Sequence, residues 1–201
     1  MSLGLAARAP MPDDEPILIR DAEERDLPAI QQIYAEHVTS GLASFEEVPP
    51  DLEEIRRRFL AVKQRRDPYL AAERAGHLAG FAYAGPYRPR PAYRFVREGS
   101  LYVAPGQARR GVGRALLGAL IEACSARGYR RLIAVIGDSA NDASIGLHEA
   151  LGFRRVGLLP SVGFKFGRWV DSVIMDRPLG EGDGSLPEPR GGPEPPAEDR
   201  R

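Results

Sequence analysis

Leu101-Tyr-Val-Ala-Pro-Gly-Gln-Ala-Arg-Arg-Gly-Val-Gly-Arg-Ala-Leu-Leu117 is the stretch on which the fold turns. An apolar run passes into a turn rich in glycine and arginine. The turn then opens a segment whose apolar residues, Leu116, Leu117, Leu120, Ile121 and Cys124, recur at helical spacing as far as Gly128. A strand end, a glycine turn and a first helical turn together present unpaired backbone N–H groups and the positive end of a helix dipole, which hold phosphate with few side chains. Arg109, Arg110 and Arg114 add positive charge at the same place. Gly111 and Gly113 also have a purely structural reading, as residues that let a helix pack closely on its strand. Two familiar phosphate motifs fail. A dinucleotide fingerprint needs a third glycine where Leu116 stands, and a nucleotide-triphosphate loop needs Gly-Lys-Ser or Gly-Lys-Thr, which occurs nowhere.

Outward from this stretch the pattern is that of one mixed α/β domain. Ile17 to Arg20 reads as a strand, and Asp26 with Pro28 starts a helix carrying Ile30, Ile33, Tyr34, His37 and Val38. Ser44 to Pro50 is a loop. Pro50-Asp51 then opens a second helix with Leu52, Ile55, Phe59 and Val62 inward and Arg56 to Arg58, Arg65 and Arg66 on a solvated face. Tyr69 to Glu73 and Leu78 to Ala84 form a hairpin about Ala75-Gly76-His77, and an arginine-proline loop separates it from the strand Phe95 to Val103. Downstream, Leu132 to Ile136 is a buried strand and Asn141 to Leu151 a helix. Val156 to Phe166 and Trp169 to Met175 make a hairpin turning at Gly167-Arg168. The order β-α-α-β-β-β-α-β-α-β-β places helices where strands must run parallel. Residues 1–16 are expected to be a flexible extension, 17–178 the folded domain, and 179–201 a disordered tail rich in proline and glycine.

Composition narrows the partners. Lys plus Arg and Asp plus Glu both number 28, so no global positive field favours nucleic acid or a membrane surface. One cysteine and three histidines offer neither a disulfide framework nor a zinc cluster, so no metal is expected. With no signal-peptide core and no long apolar run, a soluble cytoplasmic protein is expected.

Five segments in this order resemble one family: Arg88-Pro-Arg-Pro-Ala-Tyr93, Glu98-Gly-Ser-Leu-Tyr-Val103, Ala134-Val-Ile-Gly137, Leu147-His-Glu-Ala-Leu-Gly-Phe153 and Gly163-Phe-Lys-Phe-Gly-Arg-Trp169. With Arg110-Gly-Val-Gly-Arg-Ala-Leu-Leu117 they look like the phosphinothricin and methionine sulfoximine N-acetyltransferases of the GNAT superfamily. The resemblance implies a single-domain α/β acyltransferase fold with a mixed, centrally splayed sheet flanked by helices, and acetyl-CoA as cosubstrate. It assigns Leu101, Tyr102 and Val103 to the pantetheine arm, and Arg109, Arg110, Gly111, Val112, Gly113 and Arg114 to the pyrophosphate. The loop departs from the pattern at Ala108, where Arg or Gln is usual, with Gln107 one place early and Arg109 where relatives often have glycine.

Acetyl transfer to an amine requires a deprotonated amine, and hence a base or a water chain. Glu98 lies in the strand that leads into the cosubstrate segment, where partial desolvation would raise its pKa; pairing with Arg94 or Arg97 is the structural alternative. His148 shares a helical stripe with Asn141 and Ser144, opposite Ala143, Leu147, Ala150 and Leu151, which read as core-facing. A surface hydrogen-bonding histidine is the alternative there. By resemblance Glu98 is the general base, His148 a base or proton relay, and Asn141 a contact to the pantetheine arm or an ordered water. Resemblance also implies a strand splay near Gly99-Ser100 and a Val103 N–H directed at the thioester oxygen. Guanidinium groups grip carboxylates and phosphinates in a two-pronged way. That chemistry makes Arg88, Arg90 and Tyr93 a candidate acceptor site, with a solvated, proline-stiffened loop as the alternative; the resemblance implies that Arg88, Pro89 and Arg90 contact the substrate, with Phe45 and Glu46 closing over it. His37 and His77 receive no role, and Cys124 is a core residue. Aromatic surface at Phe164, Phe166 and Trp169 suggests a homodimer. The alternatives are a GNAT enzyme for another amine (a protein N-terminus, lysine or a polyamine) and a coenzyme A binder without catalysis.

Overall fold

The computed structural model describes residues 15–187. It follows the expected order of elements: β1 (Leu18–Asp21), α1 (Leu27–Ser40), α2 (Leu52–Gln64), β2 (Tyr69–Arg74), β3 (His77–Pro86), β4 (Val96–Val103), α3 (Val112–Ala126), β5 (Arg131–Gly137), α4 (Asp142–Ala150), β6 (Arg154–Lys165) and β7 (Arg168–Pro178). The strands form one seven-stranded sheet in the order β1-β2-β3-β4-β5-β7-β6. All neighbours are antiparallel except β4 and β5, which are joined through α3 and run parallel.

Alternation along the strands makes two cores. Leu70, Ala72, Ala82 and Ala84 face α3, whose Leu116, Leu117 and Leu120 are almost wholly buried, each worth about 1.5–3 kcal/mol of transfer free energy. Tyr69, Ala71, Phe81 and Tyr102 face α1 and α2, against Ile30, Val38, Ile55 and Phe59. Cys124 lies at the centre of the α3 core, where burial pushes its thiol up to about 12, so it is inert there.

Several local expectations are corrected. The Ala75-Gly76 and Phe166-Gly167 pairs are the two-residue turns of their hairpins, so His77 and Arg168 belong to strands. Leu52 is half exposed rather than inward. The α2 arginines are not merely solvated: Arg56 pairs with Glu24, and Arg58 with Glu46 and Glu54. Leu179, expected in the disordered tail, is buried in the α3 core, and its N–H donates to the Arg130 carbonyl. The domain therefore runs past 178. Residues 188–201 of the expected tail and residues 1–14 of the expected extension lie outside the described residues.

Candidate active site

The parallel pairing of β4 with β5 covers Val96↔Arg131, Arg97↔Leu132 and Glu98↔Ile133, and then stops. Beyond it, Gly99 to Val103 stay with β3 while Ala134 to Gly137 stay with β7, so the sheet opens into a V at its centre. The expected splay is thus present. A buried cluster anchors its closed end, where Arg97 donates to Asp67 and to the Tyr129 hydroxyl, each at 2.7 Å. Ala104 donates its N–H to Ala79 on β3. Because N–H directions alternate along a strand, the N–H of Val103 points the other way, toward the open side.

The loop at the mouth of the V combines both expected uses of glycine. Gly111 is the N-cap of α3 with φ 85°, a left-handed conformation that suits glycine. Gly113 serves packing, since a Cβ there would stand 3.1 Å from Leu147 Cδ2 and also approach Val103 and Leu101. Arg109 adopts φ 60°, which gives a physical reason for glycine to be common at that place. Arg109, Arg110 and Arg114 are exposed around the free N–H groups of the first helical turn. Gln107 is not available to a ligand through its carbonyl oxygen, because Oε1 accepts from the buried Arg74 at 3.2 Å.

Glu98, Ser100 and Tyr102 share the α1/α2 face of β4 with their partners Gly85, Tyr83 and Phe81 on β3. Burial pushes the Glu98 carboxyl above the usual carboxylate range, while the positive charge of Arg88 pulls it partly back. No ion pair holds Glu98 among the described residues, which removes the structural alternative of a partner in Arg94 or Arg97. Beside it, under α2, lies a cavity of about 240 Å³ walled by Tyr34, Ile55, Arg58, Tyr69, Tyr83 and Gly85. Arg88, Pro89 and Arg90 are exposed and do not line this cavity. Their loop is held by an edge contact between the Tyr87 and Tyr93 rings, 5.8 Å apart, with Arg88 over Tyr87.

His148 departs from its expected setting. It is 5% exposed, with Ile145 buried on the same helix, whereas Ala143 and Ala150, expected to face the core, are exposed. The reason is volume: in a helix of nine residues the core recruits Ile145 and His148 in preference to two alanines. The ring packs edge-on against Phe153 at 4.9 Å, and Nδ1 donates to the Ser144 carbonyl at 2.8 Å. Burial lowers its pKa, so the ring is neutral near pH 7. Ile145 and Phe153 belong to the α3 core, so His148 and Glu98 lie on opposite sides of the sheet and are not brought together. Asn141 caps α4, its Oδ1 accepting from Ser144 N at 3.1 Å.

Phe45 sits over the end of β5 and over β6; a Cβ on Gly163 would stand 2.4 Å from its ring, and one on Gly137 3.0 Å. Glu46 is committed elsewhere, accepting from Arg58 at 2.7 Å and Tyr34 at 3.0 Å. Sequence reasoning missed two residues that hold this region. Lys165, 2% exposed on β6, donates to the carbonyls of Gly41 and Ser44 at 2.9 and 2.7 Å and so pins the α1–α2 loop carrying Phe45. His37, given no role, donates from Nε2 to the Val103 carbonyl at 2.9 Å and fixes the end of β4. Only the buried-side position of His37 on its helix hinted at this; Lys165 carried no signal.

Comparison with known proteins agrees with this arrangement. The model of the acetyltransferase (GNAT) family matches residues 29–153. A phosphinothricin N-acetyltransferase of Alcaligenes faecalis is 57% identical over 170 residues, covering 85% of this chain and 86% of that protein. An L-methionine sulfoximine/L-methionine sulfone acetyltransferase of Pseudomonas paraeruginosa is 43% identical over 158 residues, covering 78% and 91%. The solved structure of a GNAT superfamily phosphinothricin acetyltransferase from Sinorhizobium meliloti in complex with AcCoA superposes with a TM-score of 0.84 at 44% identity, covering 87% of this chain and 95% of that one. A splayed mixed sheet, a glycine turn capping α3 and relatives of this identity over most of the chain lead to one conclusion: the chain belongs to the GNAT family of acetyltransferases.

Proposed function

We propose that this protein moves the acetyl group of acetyl-CoA to the amino group of a small amino-acid-like acceptor of the phosphinothricin or methionine sulfoximine type, by direct attack in a ternary complex. The observation that carries the reading is Glu98, a half-buried carboxylate without an ion-pair partner, set beside the open edge of β4. The named activities of the relatives support the acceptor class.

In this reading the amine gives a proton to Glu98, its nitrogen bonds to the thioester carbonyl carbon, the C–S bond breaks, and coenzyme A leaves as a thiolate that takes up a proton. The raised pKa of Glu98 makes it a stronger proton acceptor than an ordinary glutamate. The Val103 N–H is the donor to the thioester oxygen, supported by its direction toward the open side. Leu101 to Val103 line the pantetheine arm, and residues 109 to 114 hold the pyrophosphate. Asn141 keeps its amide nitrogen for the arm or an ordered water, its Oδ1 being used in the cap. His148 is the weaker candidate for proton transfer, because it is packed against Phe153 on the far side of the sheet from Glu98. Arg88, Pro89, Arg90 and Tyr93 receive the acceptor's anionic groups, with Phe45 as a wall.

The outer strand β6 exposes Leu158, Leu159, Val162 and Phe164, with Phe166 in the turn and Trp169 on β7 beside them. An edge strand so apolar supports a homodimer, which sedimentation would register as twice the chain mass. The reaction is assigned to the cytoplasm, where acetyl-CoA is available. No helix among the described residues is long and apolar enough to cross a membrane, and no group of His, Cys, Asp or Glu there could hold a metal.

The test is release of free thiol from acetyl-CoA with phosphinothricin, methionine sulfoximine, an N-terminal peptide, lysine and spermidine. Fastest turnover with the first two is expected. Preference for the peptide, lysine or spermidine overturns the acceptor class, and acetyl-CoA binding without turnover on any amine overturns the enzyme reading.

A further inference from the structure

We infer that Arg74, at the end of β2, is a positioning residue for the coenzyme A pyrophosphate: it fastens the 107–110 loop from beneath and keeps a buried positive charge under it. Leu70, Ala72 and Arg74 alternate on the face of β2 that packs against α3, so the third of them comes to lie beneath the N-terminal end of that helix. Arg74 is 8% exposed. Its Nη1 donates to Gln107 Oε1 at 3.2 Å and its Nη2 to the Arg110 carbonyl at 2.9 Å, across 33 and 36 residues of chain. One guanidinium thus holds both ends of the segment that precedes the capping glycine.

The charge on Arg74 is the unusual part. The other buried arginine among the described residues, Arg97, is neutralised by the Asp67 carboxylate. Both acceptors of Arg74 are neutral, no carboxylate pairs with it among the described residues, and its buried Nε has no partner. A buried, uncompensated charge with an unused donor opposes folding, and an apolar side chain of similar volume would be neutral or stabilising. The arrangement makes sense where an anion arrives: the pyrophosphate, gripped by the loop's N–H groups, supplies the missing negative charge. It also accounts for Ala108, since the loop is shaped and charged from below rather than by a side chain at that position.

The inference rests on acetyl-CoA as cosubstrate and not on the choice of acceptor. It is tested with Arg74→Met and Arg74→Lys in the full chain, by calorimetric binding of CoA, by turnover of acetyl-CoA and of S-acetylpantetheine, which lacks the pyrophosphate, and by melting without ligand. Arg74→Met is expected to weaken CoA binding and raise KM for acetyl-CoA by about tenfold or more, while kcat/KM for S-acetylpantetheine stays within about twofold. Its ligand-free melting temperature should not fall. Arg74→Lys, which keeps the charge but not the fork, should lie between wild type and Arg74→Met in CoA affinity. Equal losses on both thioesters, a lowered melting temperature, or unchanged CoA affinity in Arg74→Met would each overturn the inference. If neither thioester turns over with any amine, the enzyme reading fails and CoA binding still decides the role of Arg74. Should Arg74→Met not fold, Arg74→Lys decides alone: CoA affinity equal to wild type rejects the positioning role.

Discussion

Two loops of this protein carry clustered arginines, and they are built in opposite ways. The 107–114 loop is clamped from below by Arg74, turned by Gly111 and closed onto α4 through Gly113. The 87–93 loop is exposed and is steadied by two aromatic rings and a cation–π contact. The difference fits the two substrates. A cosubstrate of fixed structure rewards a preorganised cradle, because ordering is then complete before binding. Under the proposed mechanism, an acceptor that has to reach Glu98 calls for groups at the surface that tune the proposed base and meet the ligand as it enters. Arg88 shows this, since its charge already acts on the Glu98 carboxyl.

Three substitutions test this contrast. The largest effect is expected for Glu98→Gln, which removes the proton acceptor: kcat should fall by about 10²–10³-fold with CoA binding unchanged by calorimetry. Unchanged turnover would move the base away from the acceptor loop and dissolve the link between that loop and catalysis. Arg88→Gln comes next. Glu98 acts as a base only when deprotonated, and Arg88 lowers its pKa, so losing Arg88 should raise that pKa and shift the acidic limb of kcat/KM to higher pH. The acceptor KM should rise together with this shift while the acetyl-CoA KM holds, as steady-state kinetics across pH would read. A limb that does not move would disconnect the loop from the base. The smallest effect belongs to Arg109→Gly. Relief of a left-handed backbone and added unfolded-state entropy, each about 1 kcal/mol, nearly cancel in stability, and loss of one exposed charge should weaken CoA binding by about threefold or less. A larger loss, measured by calorimetry at two salt concentrations, would mean that the surface arginines rather than the buried one dominate the cradle.

Much of the fold was legible because its signals are local. Apolar periodicity marked α1 and α3, and the turn residues marked both hairpins to within a residue. The glycines of the 107–114 loop disclosed the strand-to-helix turn, whereas the splay near Gly99 was expected by resemblance alone. The setting of the candidate site was legible only where local sequence was enough, as in the partial burial of Glu98 on its strand. The face of His148 was misread because α4 is short and its Ala143–Ala150 stripe offers little volume to bury, so the helix turns Ile145 and His148 inward, where Phe153 packs against the ring. Lys165 could not be read at all and His37 only by its helix face, since each meets a backbone carbonyl more than sixty residues away in the chain.

By itself, then, the sequence determined the order of elements, the strand–turn–helix proposed to receive an anion, and the residue types around it, because these follow from spacing and backbone preference within a few residues. Only the tertiary structure decided which of the charged groups are buried, which are neutralised, and which face Glu98. Those properties depend on segments distant in the chain meeting across the sheet: Arg74 lies beneath a loop some thirty residues downstream, and Lys165 beneath one more than a hundred residues upstream. Burial and electrostatic compensation are relations between such segments, and no single stretch contains them.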